Sequence, residues 1–115
     1  MKGQEVIARA LTLLGYRSAE EASGEPALLT CAAEALRTMA EDVLFASRRE
    51  ADPVLPSTEV PLDRPACEAL VYGVAMMIAQ SLGDSEKEAW FASVYDRKRR
   101  RLSPGASLDD AVPTV

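Results

Sequence analysis

The run Ala69-Leu70-Val71-Tyr72-Gly73-Val74-Ala75-Met76-Met77-Ile78-Ala79 carries no charged side chain. It is far shorter than the ~20 apolar residues that a bilayer span needs. Cys67, Leu70, Val71, Val74, Ile78 and Leu82 fall at helical spacing on one side. Met76, Met77 and Ala79 carry the apolar surface around the cylinder. A helix that is apolar nearly all round must be buried on several sides. The spacing therefore predicts a central core helix, or one shared between subunits.

Its ends are marked. Asp63 suits an N-cap, with Pro65 in the first turn and Leu62 placed to staple onto Cys67. Gly83 suits a left-handed C-terminal cap. Gly73 lies mid-helix, where glycine costs roughly 1 kcal/mol relative to alanine. Two readings stay open for it: close approach of another helix along the Ala69, Gly73, Met76 and Gln80 face, or a tolerated glycine without a role.

A second helix follows to Leu102, with either Asp84 or the Ser85/Glu88 capping box at its start. Trp90, Phe91, Val94, Tyr95, Lys98 and Leu102 make one stripe along it. Val71, Gly73, Val74, Ile78, Trp90, Phe91 and Val94 are the expected packing residues of this hairpin. The aromatic rings supply its largest areas to bury.

Upstream, residues 3–15 read as an amphipathic helix with Val6, Ile7, Ala10, Leu11 and Leu14 inward and Gly15 as its stop. Tyr16 is placed to pack back on the core. A longer helix runs from about residue 25 or 26 to about 49, opened by Pro26. Leu29, Ala33, Leu36, Ala40, Val43 and Ser47 trace a near-heptad stripe along it, broadened by Leu28, Ala32, Met39 and Leu44 and suited to helix pairing or a subunit contact. Residues 51–62 hold Pro53, Pro56 and Pro61, a density that forbids a helix. Leu55 and Val60 are the expected anchors of this loop, and Thr58 to Val60 the candidate for an extended piece pairing between subunits. The expectation is an all-α, four-helix bundle-like domain over residues 1–103, with the third helix central, a proline-rich loop, and a flexible tail over 104–115.

Several kinds of chemistry lack their residues. The chain has no histidine, which removes the usual neutral-pH base and every His-dependent triad. Its two cysteines, Cys31 and Cys67, are too far apart in sequence for a zinc motif and read as buried small hydrophobes. No phosphate-cradling glycine loop is present. The expectation is a protein that is not an enzyme, with no cofactor, no metal and no membrane contact. The first residues lack the apolar core of a signal peptide, so a cytoplasmic origin is expected.

Charge is unevenly placed. The net charge is −5, yet Arg97-Lys98-Arg99-Arg100-Arg101 stand in one block at the end of the last helix. The rest is a strongly acidic body, unlike the broad basic face of a general nucleic-acid binder. Arg97, Lys98, Arg99, Arg100 and Arg101 have three readings: a solvated end complementing the helix dipole, contact with an acidic protein partner, or contact with DNA phosphates. Beyond the break at Pro104-Gly105, Leu108, Val112 and Val115 are spaced apolar residues in a tail too polar to fold alone. The tail reads as a disordered terminus or as an arm that orders on a neighbour.

The segments Ala69-Leu70-Val71-Tyr72-Gly73-Val74-Ala75-Met76-Met77-Ile78-Ala79-Gln80, then Gly83-Asp84, then Trp90-Phe91-Ala92-Ser93-Val94-Tyr95-Asp96-Arg97-Lys98-Arg99 resemble the C-terminal half of the small head–tail connector (adaptor) proteins of long-tailed phages and prophages. The resemblance covers about the second half of the chain. It implies a structural subunit that joins a homo-oligomeric ring under the portal protein, extends the DNA channel, and offers a docking surface to tail-side components. DNA would pass the lumen without sequence-specific binding. The implied location is the head–tail junction of the virion, with the host cytoplasm as the place of assembly. The alternative from another class is a small helical DNA-binding or regulatory protein using residues 97–101.

Overall fold

The computed structural model describes residues 1–16 and 24–102. They form four α-helices: α1 (Gly3–Leu13), α2 (Pro26–Ala46), α3 (Arg64–Ser81) and α4 (Ser85–Leu102). Among the described residues there is no β-strand, and the fold is an all-α bundle. The expected domain boundary at 103/104 and the tail lie outside the described residues.

The third helix is the centre of the bundle, as its apolar circumference requires. It packs on α4, on α2 and on α1. Leu70, Val74, Ala75, Ile78 and Ala79 are all fully buried. Its N-cap is Asp63, whose Oδ1 accepts a hydrogen bond from the Ala66 N–H at 3.1 Å. The Cys67 thiol donates to the Leu62 carbonyl at 3.5 Å, fixing the approach to the helix. Burial pushes that thiol above its ordinary pKa, and both cysteines are free.

Gly73 is a point of close approach. A Cβ placed there would stand 2.9 Å from Met39 Cε and 2.9 Å from Tyr95 Cε1. The missing side chain lets α2 and α4 converge on α3, which decides between the two readings of this glycine.

Gly15 and Gly83 end α1 and α3 in the left-handed conformation, at φ 101° and 76°. The α3–α4 turn is tight, and Asp84 rather than Ser85 caps α4. Asp84 Oδ1 accepts from the Lys87 N–H at 3.1 Å. Lys87 Nζ then reaches the Leu14 carbonyl at 3.2 Å, so a cation completes the C-terminal end of α1.

Helix α2 stops at Ala46, before the expected end near residue 49. Arg48 takes a left-handed φ of 55°, and the Arg49 N–H bonds back to the Leu44 carbonyl at 2.8 Å. This is a Schellman-type end built without glycine. The inward face of α2 follows the broadened stripe but not the heptad line at Leu29. Leu28, Ala32, Ala35, Leu36, Met39, Ala40 and Val43 are buried, whereas Leu29 is exposed. Helix α2 packs on α3 and also meets α1 and α4, so it presents a wider stripe than a coiled-coil seam does, with its centre on the Leu28 side.

In the proline-rich loop, Val54 and Val60 are the anchors, and Leu55 is half exposed. The extended piece is real but pairs within the chain. Glu59 bridges Lys2 in antiparallel fashion, and Gly3 N–H donates to the Thr58 carbonyl at 2.9 Å. The unpaired N–H groups of the first turn of α1 take these carbonyls: Gly3 bonds to Thr58 and Gln4 to Pro56.

Candidate interaction surface

Helix α4 meets α3 with a narrow apolar stripe. Phe91, Val94 and Tyr95 are buried in it. Trp90 does not join them: it is 57% exposed, against the expectation that it packs inside. Adjacent positions on a helix diverge by about 100°, so only one of Trp90 and Phe91 can point at α3, and Phe91 takes that place. Leu82, expected on the buried side of α3, is also half exposed at the turn.

Trp90 therefore caps an aromatic cluster on the outside of the hairpin. Its ring lies 5.3 Å from Phe91 and 6.2 Å from Tyr72, and Tyr72 lies 6.2 Å from Phe91. The ring planes are tilted or edge-on, the favoured arrangements for aromatic pairs. Lys98 places its ammonium 5.5 Å from the centre of the Tyr72 ring. Tyr72 also lines an open groove of about 300 Å³ between α1 and α3, together with Arg9, Thr12, Leu13, Glu68 and Val71. This outer surface carries large exposed aromatic area, a residue class enriched at protein–protein contacts.

The basic block is divided by the fold. Arg99 turns inward to Asp42 on α2, with Nε to Oδ2 at 2.7 Å and Nη2 to Oδ1 at 3.2 Å. Tyr95 donates its hydroxyl hydrogen to Asp42 Oδ2 as well. Burial alone raises the Asp42 pKa, but the hydrogen bonds from Arg99 and Tyr95 outweigh it and hold the carboxyl below its ordinary value. Burial first, then the bond to Asp42, pushes the Tyr95 phenol well up. The bond to Asp42 raises the Arg99 guanidinium.

Arg100 pairs with Asp96 one turn back at 2.7 Å. Arg97 and Arg101 are exposed and make no ion pair with any described residue. Of the five candidate contact residues, Arg99 ties two helices together, Lys98 and Arg100 have local partners, and Arg97 and Arg101 are left for a ligand. Leu108, Val112 and Val115 lie outside the described residues. The packing residues Val71, Gly73, Val74, Ile78, Phe91 and Val94 are brought together between α3 and its neighbours.

Sequence reasoning passed over Asp42. Its signal was weak: one acid of the Glu41-Asp42 pair on the rim of the α2 stripe, with its partner Arg99 hidden in a block of like residues. Phe45 is also exposed, at 77%, and had no part in the sequence reading.

Among the described residues, no three His, Cys, Asp or Glu side chains are grouped to hold a metal ion. No described helix is long and apolar enough to cross a membrane. A scan against protein-family models, a search of curated proteins and a search of solved structures find no match to this chain.

Proposed function

We propose that this chain is a structural subunit of a phage head–tail connector, assembling as a ring beneath the portal protein and extending the DNA channel towards the tail. The observation that carries the reading is the α3–α4 hairpin. The residues that resemble connector proteins form the centre of the bundle and also leave Trp90, Tyr72 and Lys98 on one outer face. A ring subunit needs such a self-supporting core with an unspent apolar face, because a head-to-tail contact repeated with a closing rotation makes a ring. The function is assembly rather than catalysis. The acidic body suits a channel through which DNA passes, since like charge prevents phosphates from sticking.

The rival reading, a DNA-binding or regulatory protein acting through residues 97–101, would need several free cations in register with a phosphate backbone. Arg99 is engaged with Asp42, and Arg100 with Asp96, which favours the assembly reading. Co-sedimentation tests the choice. Portal-bearing capsids from the same genome should carry the protein down, and duplex DNA should give no gel shift at moderate salt. DNA binding that weakens steeply with salt, without capsid binding, favours the regulator.

A further inference from the structure

At the open end of the α3–α4 hairpin, Arg64, Pro65 and Glu68 face Lys98, Arg101 and Leu102 across a cleft of about 370 Å³. The cations outnumber the single acid. Arg64 and Arg101 are exposed and have no ion-pair partner among the described residues. Clustered like charges at a low-dielectric protein wall favour an anion between them. Pro65 and Leu102 add apolar surface to the same cleft. Its matching ligand is a short segment with carboxylates bracketed by apolar side chains.

The chain holds such a segment close by. Leu102, where the described residues end, itself lines the cleft. Residues 103–115 follow and contain no basic residue. Within them Leu108-Asp109-Asp110-Ala111-Val112 sets two carboxylates between two apolar side chains. Pro104-Gly105, just before it, is a turn-forming pair. The tether 103–107 is short, so the segment's effective concentration at the cleft is on the order of millimolar.

We propose that residues 108–112 of the same chain fold back onto this cleft. Asp109 and Asp110 meet Arg64 and Arg101, and Leu108 and Val112 cover Pro65 and Leu102. The short tether favours the chain's own segment over a neighbour's. The inference rests on the cleft and the sequence, not on the connector reading. It gives the cleft a built-in occupant, which an acidic partner has to displace.

Two-dimensional NMR of the full chain at low salt tests this. The substitution pair Asp109→Asn and Asp110→Asn should shift the backbone amides of residues 64 and 66–68, which are remote in sequence from the changes, and leave those of α1 and α2 in place. The same shifts should persist on hundredfold dilution. In the reciprocal variant, Arg64→Glu, the amides of Asp109 and Asp110 should move. Amides at 64 and 66–68 that do not respond overturn the proposal. Shifts that fade on dilution also overturn it, because they assign the cleft to another copy's segment. Arg64 lies at an exposed helix start, so these substitutions leave the core untouched.

Discussion

Tyr95 on α4 donates its phenolic hydrogen to Asp42 on α2, and Arg99, one turn further along α4, clasps the same carboxylate with two nitrogens. The helices α2 and α4 flank α3 on the Gly73 side, where Tyr95 and Met39 close over it. A polar clasp at the edge of an apolar contact fixes the angle at which the two helices meet. Apolar packing alone leaves that angle less well defined. Asp42→Ala removes the acceptor of all three bonds and strands the phenol of a residue that is only 6% exposed. We predict a loss of about 1–3 kcal/mol in denaturant unfolding. Tyr95→Phe leaves the Arg99 pair in place and should cost about 1 kcal/mol or less. Equal losses for the two would contradict the clasp.

The clasp also predicts a pH dependence. The Asp42 pKa is lowered in the folded protein. Its contribution is therefore present above the unfolded carboxylate pKa of about 3.9 and is lost as pH falls below it. The Tyr95 pKa is raised. Its contribution is present below the unfolded tyrosine pKa of about 10 and is lost as pH rises past it. Stability measured by urea unfolding should fall at both extremes. Asp42→Asn should flatten part of the acid limb, and Tyr95→Phe part of the alkaline limb. Unchanged limbs in both variants would remove the linkage.

Gly73→Ala sets two effects against each other. Alanine gains roughly 1 kcal/mol of helix propensity. Its Cβ would stand 2.9 Å from Met39 Cε, which can swing away, and 2.9 Å from the Tyr95 ring, which the bond to Asp42 restrains. Overpacking of this kind typically costs about 1–3 kcal/mol. The ring contact decides the sign, and the variant should melt below the parent. Combining it with Tyr95→Ala should reverse the sign of the glycine substitution; a melting point raised by Gly73→Ala alone would refute the close approach.

Arg48 offers the opposite sign. It holds a left-handed φ of 55° at the end of α2, a conformation that costs a side-chain-bearing residue about 1–2 kcal/mol. Its side chain is exposed and makes no ion pair with any described residue. Arg48→Gly should raise the thermal midpoint by a few degrees. A lowered midpoint would mean that the arginine contributes something the backbone geometry does not record.

The parts of this structure that could be read from the chain are those set by neighbours in sequence. Asp63 and Pro65 open α3, Gly15 and Gly83 close their helices, and the apolar circumference of α3 puts it at the centre. Local chemistry decides each of these within a turn or two. The missed parts depend on contacts between distant residues. Trp90 and Phe91 are both apolar, and only the position of α3 determines which one turns inward. Val54 displaces Leu55 as a loop anchor because the loop pairs with the residues before α1. Asp42 could not be matched to Arg99 among five adjacent cations without the crossing of α2 and α4. The Ser85 capping box was a plausible local pattern, but Asp84 lies one residue nearer the turn and takes the open N–H.

As the chain's sole tryptophan, Trp90 can report directly on the outer face. Trp90→Ala should lower folding stability by about 1–3 kcal/mol, because the ring is 57% exposed and buries only its remaining area against Phe91 and Tyr72. In the free chain its fluorescence should be red-shifted and readily quenched by acrylamide. Protection on assembly would place the aromatic cluster in the contact between subunits. Full quenching in the assembled state would move the contact elsewhere on the bundle.

Electron cryo-microscopy of portal-bearing capsids from the same genome, incubated with the purified chain, tests the proposed ring assembly. We expect a closed ring of copies beneath the portal, coaxial with the DNA channel, with the α3–α4 hairpin of each copy at the subunit contacts. Bare portal vertices after incubation with folded protein would contradict it.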